Sequence, residues 1–314
     1  EAMSEETLTS TPAASCSDVQ VESLPGTAKP GSTYVLFEWP HAWTHDVLDG
    51  GTLGEEITEK LKAHLAEYDA SLLLIRHPTR EGRQIDDHHV YLVFAEDEAT
   101  EVMHVDGPEA LLKLDLSGPG KNAAAGATAR TKPLLLVCTH AKRDRCCAVK
   151  GRSMINKLVQ KYPFGHGNDV VWETSHIKGH RFAPTMLLMP WAYSFGRMTF
   201  EATDAMLEAA LRGEYFVPGN RGRGTLSAPA QAAEVAVAAE LARAGEQVRY
   251  GDLEVTDVAV TDDGGYVRVD KHGASYTVEL TRKEISGVVP SCGKPAKDGE
   301  SWVPTAVTAR PPRA

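Results

Sequence analysis

From Leu134 onward the sequence alternates short apolar runs with stretches of helical spacing, and no other feature constrains the fold as much. LLLVC (Leu134 to Cys138) is a continuous apolar run of strand length. VKGRSMINKLVQKY then places Ile155, Leu158, Val159 and Tyr162 on one helical stripe, and DVVWET returns to a strand pattern. MLLMPW and YSFGRM read as two further strands meeting at a turn around Pro190, and ATDAMLEAALRG closes the segment as a helix. Buried strands read as unbroken apolar runs, whereas amphipathic helices repeat every three to four residues. Interleaving the two predicts an α/β unit.

The order strand, helix, strand, strand, strand, helix is the one a thioredoxin-like layer produces. A smaller α/β domain is predicted ahead of it. YVLFEW, ASLLLIRH and HHVYLVFA read as strands, and Leu53, Ile57, Leu61 and Leu65 recur four apart on a helix. After it, an Ala-rich helix over APAQAAEVAVAAELARAG leads into three alternating runs, DLEVTDVAV, GYVRVD and ASYTVEL, with a turn at Asp262 to Gly265. The domain reading is therefore a flexible leader over 1–30, an N-terminal α/β domain over 31–116 and a linker or loop over 117–131. A thioredoxin-like ferredoxin domain over 132–217 follows, and then a small α+β extension over 218–314. The tail beyond Cys292, with Pro295, Pro304 and Pro311, is predicted to be weakly structured or to lie across the surface.

Composition sets bounds on function. The 314 residues carry a net charge of -10, with 42% hydrophobic and 24% charged residues. General nucleic-acid binding needs a basic surface to neutralise phosphates, so this balance excludes it. No apolar run reaches the roughly 18 residues of a membrane span. Five cysteines, at 16, 138, 146, 147 and 292, are too few and too irregular for a secreted disulfide framework. With no signal-peptide pattern at the N-terminus, a cytoplasmic location is expected.

The chemistry concentrates in two segments. CTHAKRDRCCAVKGR (Cys138 to Arg152) follows directly from an apolar strand, which puts Cys138 at a strand end and the other thiols on a loop. About thirty residues later, SHIKGH places His176 and His180 four apart, on one side if the segment is helical. Alone, a cysteine is usually a small core residue and a histidine an ordinary surface group. Together, two thiols and two imidazoles at element ends of one unit suit a four-ligand metal site.

Three readings of these residues stand at this point: a four-ligand site for a metal of unassigned type, a zinc-stabilised binding module, and a Cys-dependent phosphatase-like enzyme or thiol oxidoreductase. Zinc accepts this ligand set, although eight residues between Cys138 and Cys147 exceed the usual two to four of a structural zinc pair. The third reading rests on Cys146 to Arg152, which has the Cys-x5-Arg spacing of a phosphate-binding loop with a nucleophilic thiolate. Cys16 and Cys292 are read as bystanders.

LLLVCTHAKRDRCCAVKGR followed by VVWETSHIKGHRFAPTMLLMPWAYSFGRM resembles the sucraseferredoxin-like family. LPGTA near the start, RGRGTLSAPAQAAE at Arg221 to Glu234 and SCG at 291 to 293 extend the resemblance over nearly the whole chain. It implies a thioredoxin-like ferredoxin domain binding a 2Fe-2S cluster through two cysteines and two histidines, in a non-Rieske arrangement. Carried over by motif, the ligands are Cys138, Cys147, His176 and His180, and no catalytic residue is implied. Cys146, beside Cys147, is then a packed neighbour or a modulator of the cluster through a hydrogen bond to sulfur.

Such a protein is a redox carrier rather than an enzyme with its own substrate. Two ferric ions, two sulfides, two thiolates and two neutral imidazoles sum to zero charge, so reduction is easier than with four thiolates. The potential should lie above the roughly -400 mV of plant-type ferredoxins. The second ring nitrogen of each histidine can couple a proton to the electron. Lys142, Arg143, Arg145, Lys150 and Arg152, offset by Asp144, make a +4 island in an acidic chain, which His140, Lys178 and Arg181 extend. The island suits a redox partner protein, for example an acidic flavoprotein or reductase.

Overall fold

A computed structural model describes residues 16–165 and 169–310. The beginning of the expected leader, residues 1–15, and the last four residues of the tail lie outside the described residues. The first strands and helix are β1 (Thr33–Glu38), α1 (Glu55–Glu67), β2 (Ala70–Arg76), β3 (His88–Phe94), β4 (Ala99–Val105) and β5 (Thr128–Arg130). Then come β6 (Leu134–Cys138), α2 (Arg152–Lys161), β7 (Val171–Thr174), β8 (Met186–Met189), β9 (Tyr193–Phe195), α3 (Phe200–Leu211) and β10 (Asn220–Arg223). All ten strands join one mixed sheet in the order β10-β9-β8-β6-β7-β2-β1-β3-β4-β5. The fold is α/β.

Within that sheet β6 pairs parallel with β7 and antiparallel with β8, and β8 pairs antiparallel with β9. This is the thioredoxin-like order expected from the sequence, with a loop in place of a helix between β7 and β8. The first unit repeats it. β1 pairs parallel with β2 and antiparallel with β3, and β3 pairs antiparallel with β4. The two units meet where β2 and β7 run antiparallel, Ile75 opposite Thr174 and Arg76 opposite Glu173. Segments 31–116 and 132–217 thus contribute to one continuous sheet, and the short β5, from the Gly/Ala-rich connection, extends its edge through β4.

Alternation along the strands sorts residues between two sides of the sheet. Tyr34, Leu36, Leu73 and Ile75 join Leu134, Leu136, Cys138 and Trp172 in one cluster shared by both units. Their neighbours in sequence pack against the helices: Val35, Phe37, Leu72 and Leu74 meet Leu61 and Leu65 of α1. Leu135 and Val137 meet Ile155 and Leu158 of α2 and Met206 and Leu207 of α3. That shared cluster binds the two units together through apolar burial, the dominant favourable term in folding.

The C-terminal part adds α4 (Ala228–Arg243) and a four-stranded sheet of β11 (Glu254–Thr261), β12 (Gly264–Lys271), β13 (Ala274–Val288) and β14 (Lys297–Arg310). The Ala-rich helix is a packing helix, its Ala232, Ala233, Val237 and Leu241 against Val267, Val269 and Val278. The tail differs from the sequence expectation. Instead of being weakly structured, it forms β14, paired with β13 from Arg310 to Lys297. Its proline content concealed a strand because β14 lies at a sheet edge, where Pro304 forfeits no ladder bond on its open side.

Residues 16–30 are also held in place. Gly26 and Thr27 N–H groups donate to the Arg221 carbonyl, and Gln231 brackets Ala28 through both its amide atoms. Among the described residues, no helix is long and apolar enough to cross a membrane.

Candidate metal centre

Cys138 ends β6, fully buried, with its thiol in reach of the His140 and Ile177 N–H groups. The loop after it returns to the strand end through a single π-helical turn, Cys147–Gly151, that runs straight into α2. Such turns are rare and occur often at functional sites. Gly151 makes the return possible. A Cβ there would stand 2.0 Å from the Cys138 carbonyl oxygen, so any other residue would push the helix off the strand. The result is that Cys147, itself buried, lies against Cys138.

The hydrogen bond from Cys147, outweighing burial, lowers the pKa of Cys138, and the same contact raises that of Cys147. The thiolate is the form of cysteine that binds metal.

His176 and His180 sit beyond β7 with ring centroids 5.1 Å apart. The sequence reading had a helical segment bring them together; the structure uses a loop. Lys178 at φ 65° and Gly179 at φ 81° turn the chain through left-handed conformations. The short turn His180–Phe182 starts only afterwards. Gly179 is required twice over, because a Cβ there would also meet the Arg221 guanidinium at 2.3 Å. Arg221, among the largest fully buried side chains, donates to the Thr27 Oγ1 at 2.9 Å and carbonyl at 2.6 Å, with its guanidinium over the Phe182 ring. Burial, then the nearby Arg181, brings its pKa down to about 9.

Both ring nitrogens of His176 and Nδ1 of His180 are buried without a hydrogen-bond partner. Burying polar atoms unsatisfied costs roughly 1–3 kcal/mol each, which an occupant would offset. Burial, reinforced by His180 and then Arg143, pushes the pKa of His176 down to about 3, so the ring is neutral and able to ligate. Burial lowers His180 in the same direction. His140 fixes the loop: its Nδ1 accepts the His176 N–H at 3.1 Å, and its Nε2 reaches the Thr44 carbonyl at 2.7 Å. Sequence reasoning had placed His140 only in the basic island. Its position four residues before Asp144, in a histidine-bearing strand-end loop, was the available signal.

The adjacent cysteines part company. While Cys147 meets Cys138, Cys146 faces Cys16 and Cys292, with Sγ separations of 3.2 and 2.8 Å. Cys16 and Cys292 are therefore not bystanders; they converge on Cys146 from sequence positions 130 and 146 residues away. Arg152 has turned from Cys146 to the carboxylates of Glu173, at 2.8 Å, and Glu81, at 3.5 Å. With a helix in place of an anion cradle, the phosphatase reading loses both of its parts.

The basic island is partly neutralised. Lys150 pairs with Asp18 at 2.8 Å and Arg181 with Glu22, while Lys142 and Arg145 stay exposed and Asp144 is buried. A cavity of about 430 Å³ opens beside His176, lined by Lys29, His45, His140, Arg143 and Lys178 among others. Burial, then Lys178 and Arg143, pulls the Lys29 pKa down, which marks an excess of positive charge there.

A family description fits this arrangement. The sucrase/ferredoxin-like family model matches residues 24–223, from the leader through both α/β units to the end of β10. The chain belongs to the sucrase/ferredoxin-like family. Comparisons with curated proteins and with solved structures returned no match. Membership in the sucrase/ferredoxin-like family suggests a ferredoxin-like role, and among the described residues Cys16, Asp144, Cys146 and Cys292 form a group that could hold a metal ion.

Proposed function

We propose that this sucrase/ferredoxin-like protein is a one-electron carrier in which Cys138, Cys147, His176 and His180 hold a 2Fe-2S cluster. The observation that carries the reading is the buried contact of Cys138 with Cys147 at the end of β6, in the same unit as two half-buried imidazoles, three of whose four ring nitrogens have no hydrogen-bond partner. These four residues form no group with ligand atoms all within 4.8 Å, as one ion would need, which favours a wider occupant over a single zinc. When bound, the cluster supplies reversible one-electron transfer.

The chain's own residues set the conditions for it. Cys138 and Cys147 would provide negative charge from within the apolar cluster they share with Trp172, Ile177 and Leu187. His140 orients His176 through the backbone. In each ligating imidazole, the nitrogen not used for binding can hold or release a proton, and in His176 that nitrogen has no protein partner to hold it fixed. The exposed Lys142 and Arg145, with the cation-lined cavity at His176, suit the approach of an acidic redox protein such as a flavoprotein.

Purified protein should be red-brown, with about two irons and two labile sulfides per chain. Its potential should fall as pH rises above the ring pKa, by up to about 59 mV per unit. Replacing His176 by Cys should keep the cluster, lower its potential and flatten that slope. Colourless protein with one metal ion at these four residues would sink the proposal. Reduction by an acidic partner should slow as salt rises, since screening at 0.15 M acts over about 8 Å.

A further inference from the structure

Three thiols from distant parts of the chain meet at one point. Cys16 lies in the short helix that begins the described chain, Cys146 in the β6–α2 loop and Cys292 in the β13–β14 connection. Their Sγ atoms are 2.8, 3.1 and 3.2 Å apart and none is in a disulfide. Each pair is within reach of a thiol–thiol hydrogen bond, so the three sulfurs face one another at a single point. Asp144 closes the fourth side. Its carboxylate oxygens stand 3.8 Å from the Cys16 sulfur and 3.5 Å from that of Cys292. It is positioned by N–H groups of Cys146 at 2.7 Å and Cys292 at 3.0 Å, and by the Ser291 hydroxyl at 3.1 Å. Ala183 and Val289 wall the group with apolar surface.

We infer that Cys16, Cys146, Cys292 and Asp144 form a second metal site, separate from the Cys138/Cys147/His176/His180 centre, for a single thiophilic divalent cation, zinc by ligand type. Among the described residues this is the one group of three or more Cys, His, Asp or Glu whose ligand atoms all lie within 4.8 Å of one another. Zinc takes Cys sulfur at about 2.3 Å and carboxylate oxygen at about 2.0 Å in a tetrahedron, whose edges are then about 3.8 Å between sulfurs and about 3.5 Å from sulfur to oxygen. The measured sulfur-to-oxygen separations already fit, and the sulfurs need to part by less than about 1 Å. Binding converts three thiols to thiolates, releasing up to three protons to solvent. Three thiolates also suit monovalent copper, and the hard carboxylate oxygen as a fourth ligand is what favours zinc.

The site's place in the fold gives it a purpose. One ion would fasten the leader and the β13–β14 connection to the loop that carries Cys147. Asp144 also lies 3.9 Å from the His180 ring nitrogen, so the second site borders the first. The inference does not rest on the cluster assignment, because the two sites share no thiol and zinc and iron are counted separately.

The test is metal analysis of the full-length chain, produced with iron and zinc both supplied and purified in reductant. The expected result is about one zinc per chain, with X-ray absorption at the zinc edge showing three sulfur neighbours and one oxygen. Cys16→Ser and Cys292→Ser should each lower zinc at least tenfold while leaving iron per chain unchanged. Zinc absent from the wild-type chain, zinc unaffected by both substitutions, or, in chain purified without reductant, a mass lower by two hydrogens as a disulfide requires, would each overturn the site. If either variant fails to fold, the absorption spectrum of the wild-type chain decides alone. Loss of iron without loss of zinc would count against the proposed cluster and in favour of this second site.

Discussion

The N-terminal and central α/β units share a strand order yet differ at the place where chemistry would sit. In each, a parallel pair flanks a helix and an antiparallel hairpin follows, and the first strand ends on a fully buried residue. In the central unit that residue is Cys138, with Cys147 brought onto it. In the N-terminal unit it is Glu38, whose carboxylate is bound by Arg80 at 2.9 Å and by His89 at 2.9 Å. Burial pushes the Glu38 pKa up, but the His89 and Arg80 contacts outweigh it and hold the group below its ordinary value. One strand end is an ion-paired carboxylate held by Arg80 and His89; the other presents thiols and, in the facing loop, imidazoles with three unpartnered ring nitrogens. Topology is common to both, so the site must come from the side chains at the strand end and the loops that reach it.

The sharpest break of that comparison is to remove each strand-end residue. Cys138→Ala should abolish visible absorption and iron binding. Glu38→Gln should leave iron content as in the wild type and cost about 1–3 kcal/mol in stability, read by chemical denaturation, because Arg80 and His89 lose their charged partner. Equal iron loss in both would mean that the N-terminal unit belongs to the site.

The helix starts offer the next test. Gly151→Ala drives a methyl group into the Cys138 carbonyl and should cost about 3 kcal/mol or more, with iron per chain falling well below the wild-type level. At the start of α1, Gly54 has open space around it but a φ of 94°. Gly54→Ala should cost only about 1–2 kcal/mol of backbone strain and leave iron untouched. A tolerated Gly151→Ala would show that the close approach of α2 to β6 is dispensable.

The smallest expected effect compares two buried glutamates. Glu38 sits below its ordinary value of 4.5, so it stabilises the fold fully above that pH and loses the contribution as pH falls through its folded pKa. Glu173 in β7 has a raised pKa, chiefly from burial that Arg76 and Arg152 only partly offset. Its ionised form therefore costs stability above pH 4.5, and the cost is relieved as pH falls towards that value. The deficit of Glu38→Gln should shrink in acid and that of Glu173→Gln should widen. Unfolding curves from pH 7 down to about pH 2.5 would show it, and parallel slopes would contradict the assigned environments.

Local pattern carried far in this chain. The apolar runs marked β1, β2, β3, β6, β7, β8 and β9, and the four-residue recurrence of Ile57, Leu61 and Leu65 marked α1. Alternation is less visible in ATEVMHV, in the three residues of β5 and in NRGR, so β4, β5 and β10 emerge only with their partners. β14 was hidden by prolines that an edge strand tolerates. At the site, Cys138 was legible because a strand end follows from the apolar run itself. Arg221 was not, since an arginine in RGRG reads as surface until Thr27 and Phe182 are seen around it.

What the sequence determined by itself was therefore the order of elements and the two segments, Cys138 to Arg152 and Ser175 to His180, that hold the candidate chemistry. Only the tertiary structure decided how neighbouring thiols are shared out. Cys146 and Cys147 are adjacent in sequence, and a π-helical turn sends one to Cys138 and the other to Cys16 and Cys292. The reason is range. Hydrophobic period and turn chemistry act over a few residues, whereas the contact of Cys16 with Cys292 closes 276 residues of chain and exists only once both sheets have formed.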